Sequence, residues 1–460
     1  MSPKLWEKDY SLDALIELFT VGDDPLLDTH LVAADCIGSI AHGAMLQKIG
    51  ILSSEEFTGL KTELINIAVS GDSLTIEKTD EDVHTAVENR LTEAVGDAGK
   101  KIHTGRSRND QIIVDLRLWA KGFLHSFGNS FFSLIEELLV FADRHKDIPM
   151  PGRTHMQPAM PSSAGLWAGS FAEELLDVCR LLSTAYEIND QCPLGSAASY
   201  GVPLPLDRKM TADLLGFAKV QNNVLYANNS RGKTESVILQ ALHQAMLTLS
   251  RMAQDMILFS MPEFGYFTLP DSLCSGSSIM PQKKNPCGLE LIRAKAASVG
   301  GYADTVLNII KALPSGYNRD FQETKRPFMK GCSAAHLCID VCRLSVSSLT
   351  VNRDVCIQAF TPEVFATDRA IELVAEGKPF RDAYREIGLN IDKLSAKDPE
   401  KSIPEKTYQG TAGNLNSASA EQDLASRRSM AEDREARFYS AIEKLTGRND
   451  LKVYSGISVH

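Results

Sequence analysis

Long uninterrupted apolar runs are missing from this 460-residue chain, so no bilayer-crossing helix is expected. The N-terminal run Met1-Ser2-Pro3-Lys4-Leu5-Trp6-Glu7 lacks the apolar centre of a secretory signal, and a cytoplasmic, soluble protein is expected. No polybasic block is present: 48 basic residues against 59 acidic leave a formal net charge of -11, which argues against nucleic acid as a partner. The nine cysteines never fall in a C-x-x-C pair. Cys332, Cys338 and Cys342 share a helical stretch, but no histidine cluster completes tetrahedral ligation, so buried free thiols are expected rather than a metal site. Cys274 and Cys287 read as loop residues. Strand signals are scarce, and there is no internal repeat or low-complexity tract.

What fills the chain is helical periodicity. Between Asp110 and His145, apolar residues recur mostly three or four apart, including Trp119, Phe123, Phe127, Phe131, Leu134 and Leu138. That spacing predicts one helix of about 50 Å at roughly 1.5 Å per residue. Gly122 and Gly128 lower its propensity by about 1 kcal/mol each without ending it. Similar patterns run from Ser162 to Ile188, Ser230 to Ser260, Gly288 to Lys311 and Pro327 to Val351, separated by clusters of proline and glycine. Shorter helices are expected before them, at Ser11 to Phe19 and Ser54 to Val69. Others follow, at Thr361 to Glu376, Pro379 to Gly388 and Ala418 to Thr446. The length suits two to three domains. The economical division is an N-terminal helical domain over 1–108, a central long-helix bundle over 109–360 and a small C-terminal helical domain over 361–460. The apolar stripes exceed what one slender bundle hides, which predicts a core shared between identical subunits.

Four polar segments interrupt these helices. His103-Thr104-Gly105-Arg106-Ser107-Arg108-Asn109-Asp110-Gln111 opens the first long helix. Its residue types suit either plain capping with a solvated charge pair, or an anion site on free N–H groups with two arginines to fork a carboxylate. Gly152-Arg153-Thr154-His155-Met156-Gln157-Pro158 offers a histidine, which titrates near neutrality and serves proton transfer, or is simply a satisfied loop residue. Gly276-Ser277-Ser278-Ile279-Met280-Pro281-Gln282-Lys283-Lys284-Asn285-Pro286, with Glu290 just beyond, has the glycine, hydroxyls and ammonium pair of a loop that closes over an anion. It lacks the G-x-x-x-x-G-K-[ST] pattern and the preceding strand of a phosphate loop. Tyr317-Asn318-Arg319-Asp320-Phe321-Gln322-Glu323-Thr324-Lys325 adds further hydrogen-bonding groups, or is an ordinary charged loop.

Together with Asp80-Glu81-Asp82-Val83-His84-Thr85-Ala86, these segments resemble the argininosuccinate lyase family of the fumarase/aspartase superfamily, over about His30 to Gly413. The run from Thr104 to Gln111 is the part that favours this family within the superfamily. The resemblance implies an all-α, three-domain fumarase/aspartase-like fold whose homotetramer packs twenty long helices, five per chain, with active sites shared between chains. It also implies reversible elimination of argininosuccinate to arginine and fumarate, with neither metal nor organic cofactor. Ser277 would be the base, made sufficiently basic by N–H groups, by Lys283 and by exclusion of water. Lys283 and Asn285 would hold the dianion formed, and His155, paired with Glu290, would be the other proton-transfer residue. Asn109, Thr154, Asn285, Tyr317, Gln322 and Lys325 would bind substrate; His84, Ser107 and Arg108 lie in matching segments. Departures occur at Asp24, where the family usually has a serine, at Arg153, Pro158 and Met160 around His155, and over Tyr226 to Glu235. They bear on the amine product. The alternatives are therefore a related lyase that releases fumarate from another N-substituted aspartate, and a structural homologue that has lost turnover.

Overall fold

The computed structural model describes residues 13–70, 74–76 and 80–456. The run Met1 to Glu7 and the first two residues of the expected Ser11 to Phe19 helix lie outside them. Ala14–Val21 forms that first helix, and Val32–Lys48, Ser54–Ser70 and Val83–Val95 follow. The centre consists of Arg108–Arg144, Ala164–Asn189, Lys233–Ser260, Cys287–Ile310 and Lys325–Ser347. The last third adds Ala366–Ala375, Phe380–Leu389 and a long closing helix, Ser417–Thr446. One apolar core, from Leu27 to Val453, joins the helices after the first with the five central helices and the closing helix, while helices 14–21, 366–375 and 380–389 contribute no residue to it.

The 37-residue helix 108–144 is the spine. It starts where Ser107 Oγ accepts the Asn109 N–H and the Asp110 carboxylate accepts the Ser107 N–H, a reciprocal cap that satisfies donors the helix cannot pair itself. Along its buried face Trp119, Phe123, Phe127 and Phe131 stack in sequence with ring centroids 5.6–5.7 Å apart. Gly122 earns its place by packing: a Cβ there would lie 2.7 Å from Val453 and 2.9 Å from Tyr454, where the closing segment crosses the helix.

The connection between the first two bundle helices is a β-hairpin, although its sequence reads as helix-breaking loop. Pro149–Thr154 pairs antiparallel with Gln157–Ser163, with a register shift between Pro151 and Arg153. Four prolines mask the strand signal. A two-stranded ribbon tolerates them because most of its edge needs no ladder donor. Two further strand pairs, including Phe267–Thr268 with Thr350–Val351, are only two residues long.

Antiparallel packing of the five long helices gives the bundle two poles. At one pole lie the start of helix 108–144, the start of helix 233–260, the end of helix 287–310 and the start of helix 325–347. A Cβ on Gly232 would touch both Ile310 and Thr324. At the other pole the hairpin, the end of helix 233–260 and the start of helix 287–310 meet. There Arg153 reaches the Tyr266 hydroxyl, and Arg293 bonds Gln254. At about 1.5 Å per residue the poles stand roughly 35–55 Å apart.

Candidate active site

The first pole holds a pocket lined by Asp24, Asp28, His84, Arg108, Asn109, Arg231, Tyr317, Gln322 and Lys325, among others. Six of the sequence-predicted residues are thus brought together. Lys325 is the centre of charge. The residue is 2% exposed, and its ammonium bonds Asp24 at 2.8 Å and makes a short contact with Asp28. Burial opposes its charged form, but the Asp28 and Asp24 carboxylates overcome that and hold its pKa above the ordinary lysine value. Burial pushes the Asp24 carboxyl up, an effect that the Lys325 charge only partly offsets.

Arg108 is spoken for within the chain: its guanidinium pairs with Glu81 and Asp82 and donates to the Thr85 hydroxyl at 2.7 Å. Ser107 serves as the helix cap, so its oxygen already has a donor. Gln322 donates to the carbonyls of Thr20 and Val21, tying helix 14–21 to the pocket rim. Beneath the pocket, His84 Nδ1 lies 3.0 Å from Asp35 and 3.6 Å from Asp115, both fully buried. Burial would raise the Asp35 pKa, but the hydrogen bond and charge of His84, the Arg106 charge and the Gln111 hydrogen bond outweigh it and keep the carboxylate below its usual range. Asp115 goes the other way: burial and the Asp35 charge push its pKa well up. The three could in geometry hold a cation, since their ligand atoms lie within 4.8 Å of one another. The hydrogen bonds present join the His84 ring and the Gln111 amide to Asp35 Oδ1, while both Asp115 oxygens lack a hydrogen-bond partner among the described residues.

The remaining candidates are at the opposite pole. Ser277 is half-buried in the loop before helix 287–310, and its Oγ accepts the N–H groups of Ile279 at 3.3 Å and Met280 at 3.2 Å. Two aligned donors favour the anionic form of a hydroxyl. The loop is pinned at its neck by reciprocal Ser275–Asn285 backbone bonds of 2.9 Å, and the Asn285 side chain reaches the Gly276 carbonyl. Lys284 pairs with Asp271. Lys283 is exposed.

Thr154 and His155 occupy the hairpin tip. The two-residue turn His155-Met156 has φ of 52° and 64°, the left-handed conformation that a two-residue hairpin of the I′ type demands and that bulky residues rarely adopt. Backbone strain of about 1–3 kcal/mol is thereby spent on presenting an exposed imidazole. Glu290 lies exposed in the first turn of helix 287–310, and among the described residues no ion pair joins it to His155 within the chain. Sequence reading missed Asp28, Asp35 and Asp115. The only available signal was carboxylates inside otherwise apolar helical faces. The Cys332, Cys338 and Cys342 thiols are buried and free. Among the described residues no helix is long and apolar enough to cross a membrane.

A family model described as "Lyase" matches residues 11–301. The chain is 42% identical to an argininosuccinate lyase of Parabacteroides distasonis over 90% of this chain and 93% of that one. With the argininosuccinate lyase of Sorangium cellulosum the identity is 44% over 93% and 99%. Among solved structures, an EDDS lyase in complex with formate superposes with a TM-score of 0.80 at 21% identity, covering 96% of this chain and 97% of that one. A class II fumarase from Schistosoma mansoni gives 0.71 at 17%, covering 87% and 97%. These two speak to the fold alone.

Proposed function

We propose, from the premise that this chain belongs to the argininosuccinate lyase family, that it is a carbon–nitrogen lyase which converts argininosuccinate reversibly to arginine and fumarate, a step in making arginine. The observation that carries the chemistry is the pair of backbone N–H groups on Ser277 Oγ. In water a serine alkoxide is far too costly. With two fixed donors, Lys283 nearby and water excluded, it becomes able to take the proton from the carbon beside a substrate carboxylate. The electron pair moves onto that carboxylate, Lys283 and Asn285 hold the resulting dianion, and expulsion of the nitrogen completes fumarate. His155, supported by Glu290 of a neighbouring chain, manages the proton at the departing nitrogen. Asn109, Tyr317, Gln322 and Lys325 receive the substrate, with Thr154 beside the reacting centre.

The separation of the poles supports a shared site. A substrate much shorter than the bundle cannot touch Lys325 and Ser277 of one chain when a bundle length lies between them, which favours a site supplied by more than one chain. Exposed leucines on the bundle helices agree, including Leu247, Leu291, Leu337 and Leu344; the last two are seven residues apart on one face. A homotetramer in the cytoplasm, with the division 1–108, 109–360 and 361–460, completes the reading. The Asp24–Lys325 pair favours one alternative, elimination from another N-substituted aspartate whose amine end bears a different charge. Incubation with argininosuccinate, with fumarate followed by absorbance and arginine by mass, tests the main reading. No fumarate from correctly assembled protein ends it, and a panel of N-succinyl amines then tests the alternative.

A further inference from the structure

Among the described residues, an exposed apolar patch lies at each pole of the single chain. Helix 14–21 presents Leu15, Leu18 and Phe19, spaced i, i+3, i+4 on one face and 71%, 59% and 82% exposed. That helix is fixed to the pocket rim, because Arg319 donates to the Thr20 carbonyl at 2.6 Å and Gln322 at 3.0 Å. At the far pole Ile279 is 83% exposed and Met280 39%. Their N–H groups hold Ser277 Oγ, so wherever Ser277 goes these two side chains go with it. The charges also match: helix 14–21 and its cap carry Asp13 and Glu17 with no basic residue, while the loop carries Lys283, which has no ion pair among the described residues.

We infer that the Leu15, Leu18 and Phe19 stripe is the seat for the Ile279–Met280 tip of a second copy of this chain. The inference rests on the shared-site reading above: if Ser277 of one chain meets substrate held by Lys325 of another, the loop tip must arrive at this rim. Burying Phe19 and Ile279 against each other then makes loop closure over the substrate favourable, and Lys283 comes toward the acidic helix. The contact clamps the loop without touching the reacting atoms.

Its test is a cross-link between chains. Chains bearing Phe19→Cys are co-assembled with chains bearing Ile279→Cys, with Cys274 and Cys287 replaced by serine in both, and oxidised mildly with glutathione disulfide. A covalent dimer that forms in the mixture and with neither variant alone is expected. Its absence overturns the contact, as it would if the chain's own first residues covered the stripe. A kinetic cycle adds a second readout: Phe19→Ser and Ile279→Ser should each lower kcat/KM by about tenfold, and the pair by little more, since either loss empties the same contact. Fully additive losses would refute it. Fumarate release by the unmodified enzyme is scored separately, so a mixed dimer without turnover would spare the contact and fell the activity reading instead.

Discussion

The two poles of the bundle have opposite characters. The pocket pole is largely buried and dense in charge, and several of its charged groups are paired within the chain: Lys325 with two aspartates, Arg108 with two acids and a hydroxyl, His84 with Asp35. The loop pole is exposed, and its candidate residues sit on a turn, a hairpin tip and a first helical turn. The difference teaches which residues hold the fold and which are held in readiness. Groups at the pocket pole help to stabilise the chain, so their loss should register in stability as well as binding. Groups at the loop pole contribute little to the single chain, so their loss should register in turnover alone.

The largest expected effect breaks the comparison on the side of chemistry. Ser277→Ala should lower kcat by at least about a thousandfold while leaving the circular dichroism melt and the assembly unchanged. Substantial residual turnover would remove serine from the base role. Mixing it with Asn109→Leu, from the opposite pole, should recover part of the activity, because a site can then take Ser277 from one chain and Asn109 from another. If mixing never restores turnover, the sites are not shared.

Lys325→Met should cost about 3–5 kcal/mol in denaturant unfolding, because it leaves Asp24 and Asp28 buried beside each other without their cation. A loss no larger than at an exposed site would show that the pocket pole is not stabilised as described. At the loop pole, His155→Asn keeps a residue that tolerates positive φ and removes only the imidazole. Turnover should fall about a hundredfold with an unchanged melting temperature.

The smallest effect is a mirrored pair under His84. The Asp35 pKa is lowered in the fold, so its contribution is present above the unfolded value of about 3.9 and is lost as pH falls through the folded value. That of Asp115 is raised, so its contribution is complete below about pH 3.9 and is lost as pH rises through the folded value. Asp35→Asn should therefore destabilise throughout pH 4–8, whereas Asp115→Asn should stabilise near neutrality and lose that advantage toward pH 4. Melting temperatures across pH 4–8 decide it, and like signs for the two would refute the opposed shifts.

Much of this was legible in residues. The stripe through Trp119, Phe123, Phe127 and Phe131 predicts helix 108–144 within two residues at its N-terminus, since a period near 3.6 has no other regular solution. The glycine, hydroxyl and lysine run around Ser277 marks the loop without any coordinates. The hairpin at 149–163 was not legible, because proline at four positions suppresses the strand signal and the pairing depends on where two helices leave the chain ends. Nor were Asp35 and Asp115, whose meaning depends on a histidine from another helix.

The sequence by itself determined the long helices, their caps and the types of group available for proton abstraction and anion binding, because these depend on neighbours within a few turns of the chain. Only the tertiary structure decided that Lys325 is neutralised by Asp24 and Asp28, that the Ser277 oxygen receives two N–H donors, and that the two sets stand a bundle length apart. Distances across antiparallel helices are set by packing rather than by local propensity, and that is why no single stretch of sequence carries them.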